Sequence, residues 1–190
     1  MKKKSVIGII VSAVLYLLLF ILGSSTGAIH PACYAYVGTI LPFGFAFLYF
    51  YVASNIKFPG AAVLLNAFVT VGALIYGEGN LVMWLGMLIL TVLSEVLRGI
   101  FKYDTLKGVR LGFIPFAFSF YTYTFHWWTN TEYSLSEALE EMPEGYAAKM
   151  EAVINNTPGI VIALILVIPV AIIAIRLAQR LMPKSRAKLN

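Results

Sequence analysis

The chain has 190 residues, 60% of them hydrophobic and only 12% charged, where a soluble domain carries about 45–50% and about 25%. That composition, with a net charge of +5, excludes both a water-soluble fold and intrinsic disorder. One cysteine, Cys33, leaves no intrachain disulfide and no multi-cysteine metal site.

A helix that crosses a bilayer needs about 20 mostly apolar residues, and a β-barrel would show alternating segments of about 10 instead. Continuous apolar runs predict an all-α membrane protein with six spans, at 6–22, 33–53, 58–76, 81–101, 111–126 and 158–181. The first follows Lys2-Lys3-Lys4, and it is longer than the roughly 7–15 residues of a signal-peptide core, so it reads as a span. Gly23 to Gly27 and His30-Pro31 break the chain after it, Asn55 to Gly60 separates the second and third spans, and Gly77-Glu78-Gly79-Asn80 is a turn. The fifth span is short, aromatic and interrupted by Pro115. Between it and the last span lies a long loop, 129–157, where Ser134-x-x-Glu137 fits a capping box and Pro143 can open a second short helix. Leu135, Leu139, Met142, Tyr146, Met150 and Val153 give that loop one apolar face, suited to resting at the interface or to closing a mouth. Thr157-Pro158 reads as an N-cap with proline at the first helical position.

Six spans put both termini on one side. With the termini inside, 13 of the 14 basic residues are inside and only Lys149 is outside, while 7 of the 9 acidic residues are outside. Cytoplasmic loops retain Lys and Arg, so the expected orientation is N-in, C-in. The basic charge is then a topology signal and a contact for anionic lipid, not a nucleic-acid footprint.

Nine aromatic residues fall between Phe113 and Trp128. Residues 113, 116, 120, 123 and 127 share one helical face, and 118, 121, 125 and 128 form a second stripe. Packing capped by an interfacial tryptophan belt is one reading; a pocket for a flat apolar or aromatic ligand is the other. Both histidines, His30 and His126, are expected at the outer mouth, and no third ligand joins them to make a metal-ion cage. The expected substrate-binding set is His30, Tyr34, Phe120, Tyr121, Tyr123, His126, Trp127 and Trp128. Haem is one candidate substrate, with His30 and His126 as axial ligands; an aromatic vitamin stacked on the same residues is the other. Neither is a resident cofactor.

Elsewhere, Glu95 and Arg98 form an i,i+3 pair near the inner end of the fourth span, with Arg98 expected to snorkel. Asn66 is expected to bond across helices. Gly8-x-x-x-Ser12 with Ala13 makes a small-residue face, for internal packing or for docking a partner. No His-Glu-x-x-His, Gly-x-Ser-x-Gly or Walker A pattern is present, and Glu140-Glu141 lacks the arginine that follows the paired glutamates of prenyl-protein proteases. No enzymatic activity is expected.

Ile7-Gly8-Ile9 with Leu15-Tyr16, Arg98-Gly99-x-Phe101-Lys102-Tyr103 followed by Leu106-Lys107, and the long loop before the last span resemble an S component of energy-coupling-factor (ECF) transporters, of the MptD or Trep_Strep family. The resemblance implies capture of a small molecule from outside at the plasma membrane. Energy would come from a transmembrane T component and two ATPase subunits. It further implies that spans one to three face the T component, with Gly8 and Ser12 nearest to the Ala-x-x-x-Ala docking motif. The pocket would lie between the loop after the first span and spans four to six. A structural or assembly membrane protein without a ligand is the rival reading.

Overall fold

The computed structural model describes residues 3–189; Lys2 of the amino-terminal basic run lies outside them. The described residues are helical throughout and contain no strand. Helix α1 (Lys3–Ser25) runs for 23 residues, about 34 Å at 1.5 Å per residue, and tightens into a 3₁₀ turn at Thr26–Ala28. Helix α2 (Pro31–Val37) opens with Pro31 in its first turn and the Nδ1 of His30 accepting the Ala32 N–H at 3.1 Å. A turn then leads into α3 (Pro42–Asn55), so that Pro31–Asn55 together can reach across a membrane. Helix α4 (Ala61–Ile75) starts at Gly60, whose φ of 148° suits glycine alone. Its 15 residues span about 22 Å, short of a hydrocarbon core of about 30 Å. Helix α5 (Leu81–Ile100) is capped by the Asn80 side chain, which accepts the Met83 N–H at 2.9 Å.

The expected fifth span is not one helix. It starts earlier, at α6 (Leu106–Phe116), where the Thr105 hydroxyl accepts the Gly108 N–H. The path then breaks into α7 (Ser119–Thr124) and α8 (His126–Thr129). Pro115 lies inside α6 and leaves the carbonyl one turn before it without an N–H partner; the path itself turns after Phe116, where the Phe118 N–H reaches back three residues to the Pro115 carbonyl at 3.1 Å. The loop 129–157 is two helices, α9 (Thr131–Glu141) and α10 (Tyr146–Asn155), turned by Gly145 at φ 80°. The capping box is not used: α9 begins three residues before Ser134, which sits within the helix. Helix α11 (Thr157–Leu181) takes its cap from Asn156 rather than Thr157, and α12 (Pro183–Arg186) follows. Four segments, Lys3–Ala28, Pro31–Asn55, Leu81–Ile100 and Thr157–Leu181, are long and apolar enough to cross a membrane.

Helix α3 lies at the centre, packed between α1 and α11, while α5 packs on α4, α6 and α7. The core is aromatic. Phe45, Tyr49, Phe50, Phe113, Phe116 and Phe120 have no exposed surface, and their rings meet edge-on or tilted, with Tyr16–Phe45 centroids 4.7 Å apart and Tyr49–Phe116 4.8 Å apart. Such contacts add about 0.5–1.5 kcal/mol per pair beyond area burial. Leucine, isoleucine and valine cover the exterior of α1, α4, α5 and α11, as a lipid-facing surface requires.

Polar links hold the helices in register. The Tyr16 hydroxyl donates to Asn66 Oδ1 at 3.0 Å, and Asn66 Nδ2 donates to Thr91 at 2.8 Å, joining α1, α4 and α5. Asn66 does bond across helices. Arg98 does not snorkel: it has no exposed surface. Its Nη2 donates to the carbonyls of Ala53, Ile56 and Tyr103, while Glu95 Oε1 accepts the Ala62 N–H at 2.7 Å. The two side chains lie 3.8 Å apart at their closest. Arginine thus closes the carbonyl end of α3 and glutamate the amide end of α4, each matching the sign of the helix dipole it meets.

Gly8, Ser12 and Ala13 are turned inward. Ser12 and Ala13 are buried, the Ser12 hydroxyl donates to the Gly8 carbonyl, and a side chain at Gly8 would run into Tyr51 of α3. The absent Gly8 side chain is what lets the Tyr51 ring approach α1, so this stretch of the small-residue face serves internal packing.

Candidate ligand cavity

At the end of the bundle where α1 finishes and α5 begins, the chain encloses a cavity of about 800 Å³. Ser24, Ser25, Gly27 and Ala28 line it, with Tyr34 of α2 and the turn Gly77–Asn80 with Leu81. Tyr123, His126 and Trp127 enter from α7 and α8, and α9 and α10 add Tyr133, Ser134, Glu137, Glu141, Tyr146 and Met150. The two helices of the long loop therefore wall the mouth. The Tyr146 hydroxyl donates to the Gly27 carbonyl at 2.8 Å, and Trp128 Nε1 donates to the Ile154 carbonyl at 3.1 Å, tying α10 to both rims.

Four of the eight expected residues line this cavity: Tyr34, Tyr123, His126 and Trp127. Tyr34 and Trp127 have ring centroids 4.6 Å apart, and Tyr34 meets Tyr123 edge-on at 6.0 Å. His126 Nδ1 lies 2.6 Å from the Tyr123 carbonyl, so the neutral ring carries its proton there and leaves Nε2 as the acceptor. The other four lie elsewhere. Phe120 is fully buried beneath Tyr34 and Tyr123. Tyr121 bonds Thr39 at 2.7 Å behind the wall, and Trp128 is held by α10. His30 is the cap of α2 and is not among the lining residues, so the two histidines do not converge on one ligand position. Among the described residues no cluster of three or more His, Cys, Asp or Glu side chains could hold a metal ion.

The first aromatic stripe runs through α6, α7 and α8 and not along one helix, and it divides by depth. Phe113, Phe116 and Phe120 are core, and Tyr123 and Trp127 are cavity. The residues that spacing missed are the polar ones. Glu78 accepts a hydrogen bond from the Tyr123 hydroxyl at 3.0 Å, and Glu137, Glu141 and Tyr133 come from α9. Burial, with a smaller contribution from the nearby Cys33, raises the Tyr146 phenol above its ordinary value. The ring stays neutral near pH 7, and the negative charge of the site comes from the glutamates alone. Ser134 is 3% exposed, lines the cavity, and its hydroxyl has no partner.

An all-helical bundle sheathed in aliphatic side chains, with one large cavity at its end, defines an integral membrane protein. Residues 3–188 match the Trep_Strep family, described as a hypothetical bacterial integral membrane protein, and the chain belongs to that family. No curated protein and no solved structure matches it significantly.

Proposed function

We propose that the chain is the substrate-binding S component of an ECF-type importer, a six-helix, N-in/C-in protein of the bacterial plasma membrane that captures a small flat nutrient from outside. The observation that carries this reading is the cavity. It opens at the bundle end rich in acidic residues and opposite the ends of α1, α5 and α11 that hold lysines and arginines, so the positive-inside bias turns it outward. Its walls come from the segment after α1, the start of α5, the α7–α8 break and the α9–α10 pair, which is the division of labour that the resemblance to S components implies. A solvent-open cavity with aromatic walls and a buried, unpartnered serine supports a ligand-binding role over a purely structural one.

On this reading ATP hydrolysis belongs to two separate ATPase subunits. The T component meets the exposed aliphatic face of α1, since Tyr51 of α3 packs at Gly8, and Ser12 and Ala13 are buried. An aromatic, vitamin-like substrate fits the walls. For haem, the cavity lining offers His126 but not His30. Coexpression with tagged T component and ATPases tests the assignment: stable co-purification of a four-part complex is the expected result. Failure with T components from several ECF systems overturns it.

A further inference from the structure

We propose, resting on the reading of the cavity as a substrate site, that its ligand is an organic cation: an ammonium or protonated nitrogen carried on a flat or apolar body. Three carboxylates, Glu78, Glu137 and Glu141, line the cavity, and among the described residues no lysine or arginine does. A carboxylate-bearing ligand would enter that field without a counter-charge, whereas a cation gains from it, the more so where water is excluded.

The aromatic wall agrees with the charge. Tyr34, Tyr123 and Trp127 present adjoining rings at centroid separations of 4.6 and 6.0 Å, and ring faces attract cations, tryptophan most strongly. The Tyr123 hydroxyl donates to Glu78 Oε2 at 3.0 Å, so this exposed carboxylate is tied to the edge of the aromatic wall. The lining is also selective among the acids of this face. Glu137 is half-buried in the cavity, while its neighbours Glu132 and Glu140 on the same helix are exposed and take no part in it. Independently of charge, the buried Ser134 hydroxyl lacks a partner and lines the same space. Buried hydroxyls are nearly always bonded, and this one supplies a polar contact for a ligand group.

Four probes and haemin test the proposal on the purified full-length chain in detergent, read by intrinsic tryptophan fluorescence and by thermal shift. Benzyltrimethylammonium and phenethylamine are the cations, phenylacetate the anion of matched shape, and benzyl alcohol the neutral control. Saturable quenching and a raised melting temperature are expected with both cations, at least tenfold tighter than with phenylacetate or benzyl alcohol. Glu137→Gln and Glu78→Gln each weaken cation binding at least fivefold, while Glu132→Gln leaves it unchanged. Phenylacetate, benzyl alcohol or haemin binding as tightly as the cations overturns the cation assignment and leaves the capture role standing. Unchanged cation binding in the Glu78→Gln/Glu137→Gln double variant also overturns it. No saturable binding by any probe overturns the assignment as well, while co-purification with ECF subunits reports separately on the transporter role. Cation binding in a chain that never assembles with those subunits sinks the transporter reading alone.

Discussion

Arg98 shows how far a single side chain can depart from its pattern. A residue one helical turn from a glutamate, near the basic end of a span, reads as a surface pair; instead it is fully buried and closes three carbonyls. Arg98→Ala leaves those carbonyls and Glu95 without it, and breaking a buried charge pair costs about 3–5 kcal/mol. A large fall in melting temperature in detergent is the expected result. Glu95→Gln should fall much less, because the amide oxygen still accepts the Ala62 N–H; equal losses would show that the ion pair, not the capping, matters. Gly8→Leu is a second residue-scale test. The added side chain meets Tyr51, and overpacking a filled contact costs about 1–3 kcal/mol. The solitary protein should be destabilised, and Tyr51→Ala in the same chain should recover part of the loss. A stable Gly8→Leu protein that fails only to assemble would return Gly8 to a docking role.

Among the elements, the continuous aliphatic helices were legible and the broken ones were not. Residues 6–22, 81–101 and 158–181 lie in helices of nearly those bounds, because about 20 apolar residues without a strong breaker admit little else. Pro115 was visible, yet a proline in an apolar run is equally compatible with a kink or a stop. Only tertiary packing of Phe116, Ala117 and Phe120 into the core selects the stop. The α9–α10 pair was legible as helices but not as a wall, since an apolar face does not say what it rests on. Tyr146→Phe tests that wall. It removes the bond to Gly27, worth about 0.5–1.5 kcal/mol. Faster hydrogen exchange in 146–155 is expected, with α3 unchanged. Unaltered exchange in α10 would mean that Met150 and Val153, both buried, hold the helix without the hydroxyl.

For the molecule as a whole, charge asymmetry along the axis carries the orientation. Cys33 is the only cysteine, is exposed, and lies in the first turn of α2, at the cavity end. A membrane-impermeant maleimide added to intact cells should label it. In a Cys33→Ser/Lys57→Cys chain the label should enter only after permeabilisation; the reverse pair of results inverts the topology. Half of the site was legible for a related reason. Aromatic periodicity finds residues close together in the chain, such as Tyr123 and Trp127, but Glu78 and Glu137 reach the cavity from a turn and a loop helix that only the assembled fold brings together.

The bracket made by Glu95 and Arg98 also sets an order of events during synthesis. The α3 carbonyls that Arg98 closes, of Ala53 and Ile56, lie 45 and 42 residues before it in the chain, and at about 5–20 residues per second that separation is a delay of roughly 2–9 s. From the completion of α4 at Ile75 until Arg98 is made, α3 and α4 exist with their facing ends uncapped. The hairpin between them locks only when α5 is complete, so a nascent chain that stalls before Arg98 emerges holds an unfinished bundle, with the carbonyl end of α3 and the amide end of α4 still open at its basic rim.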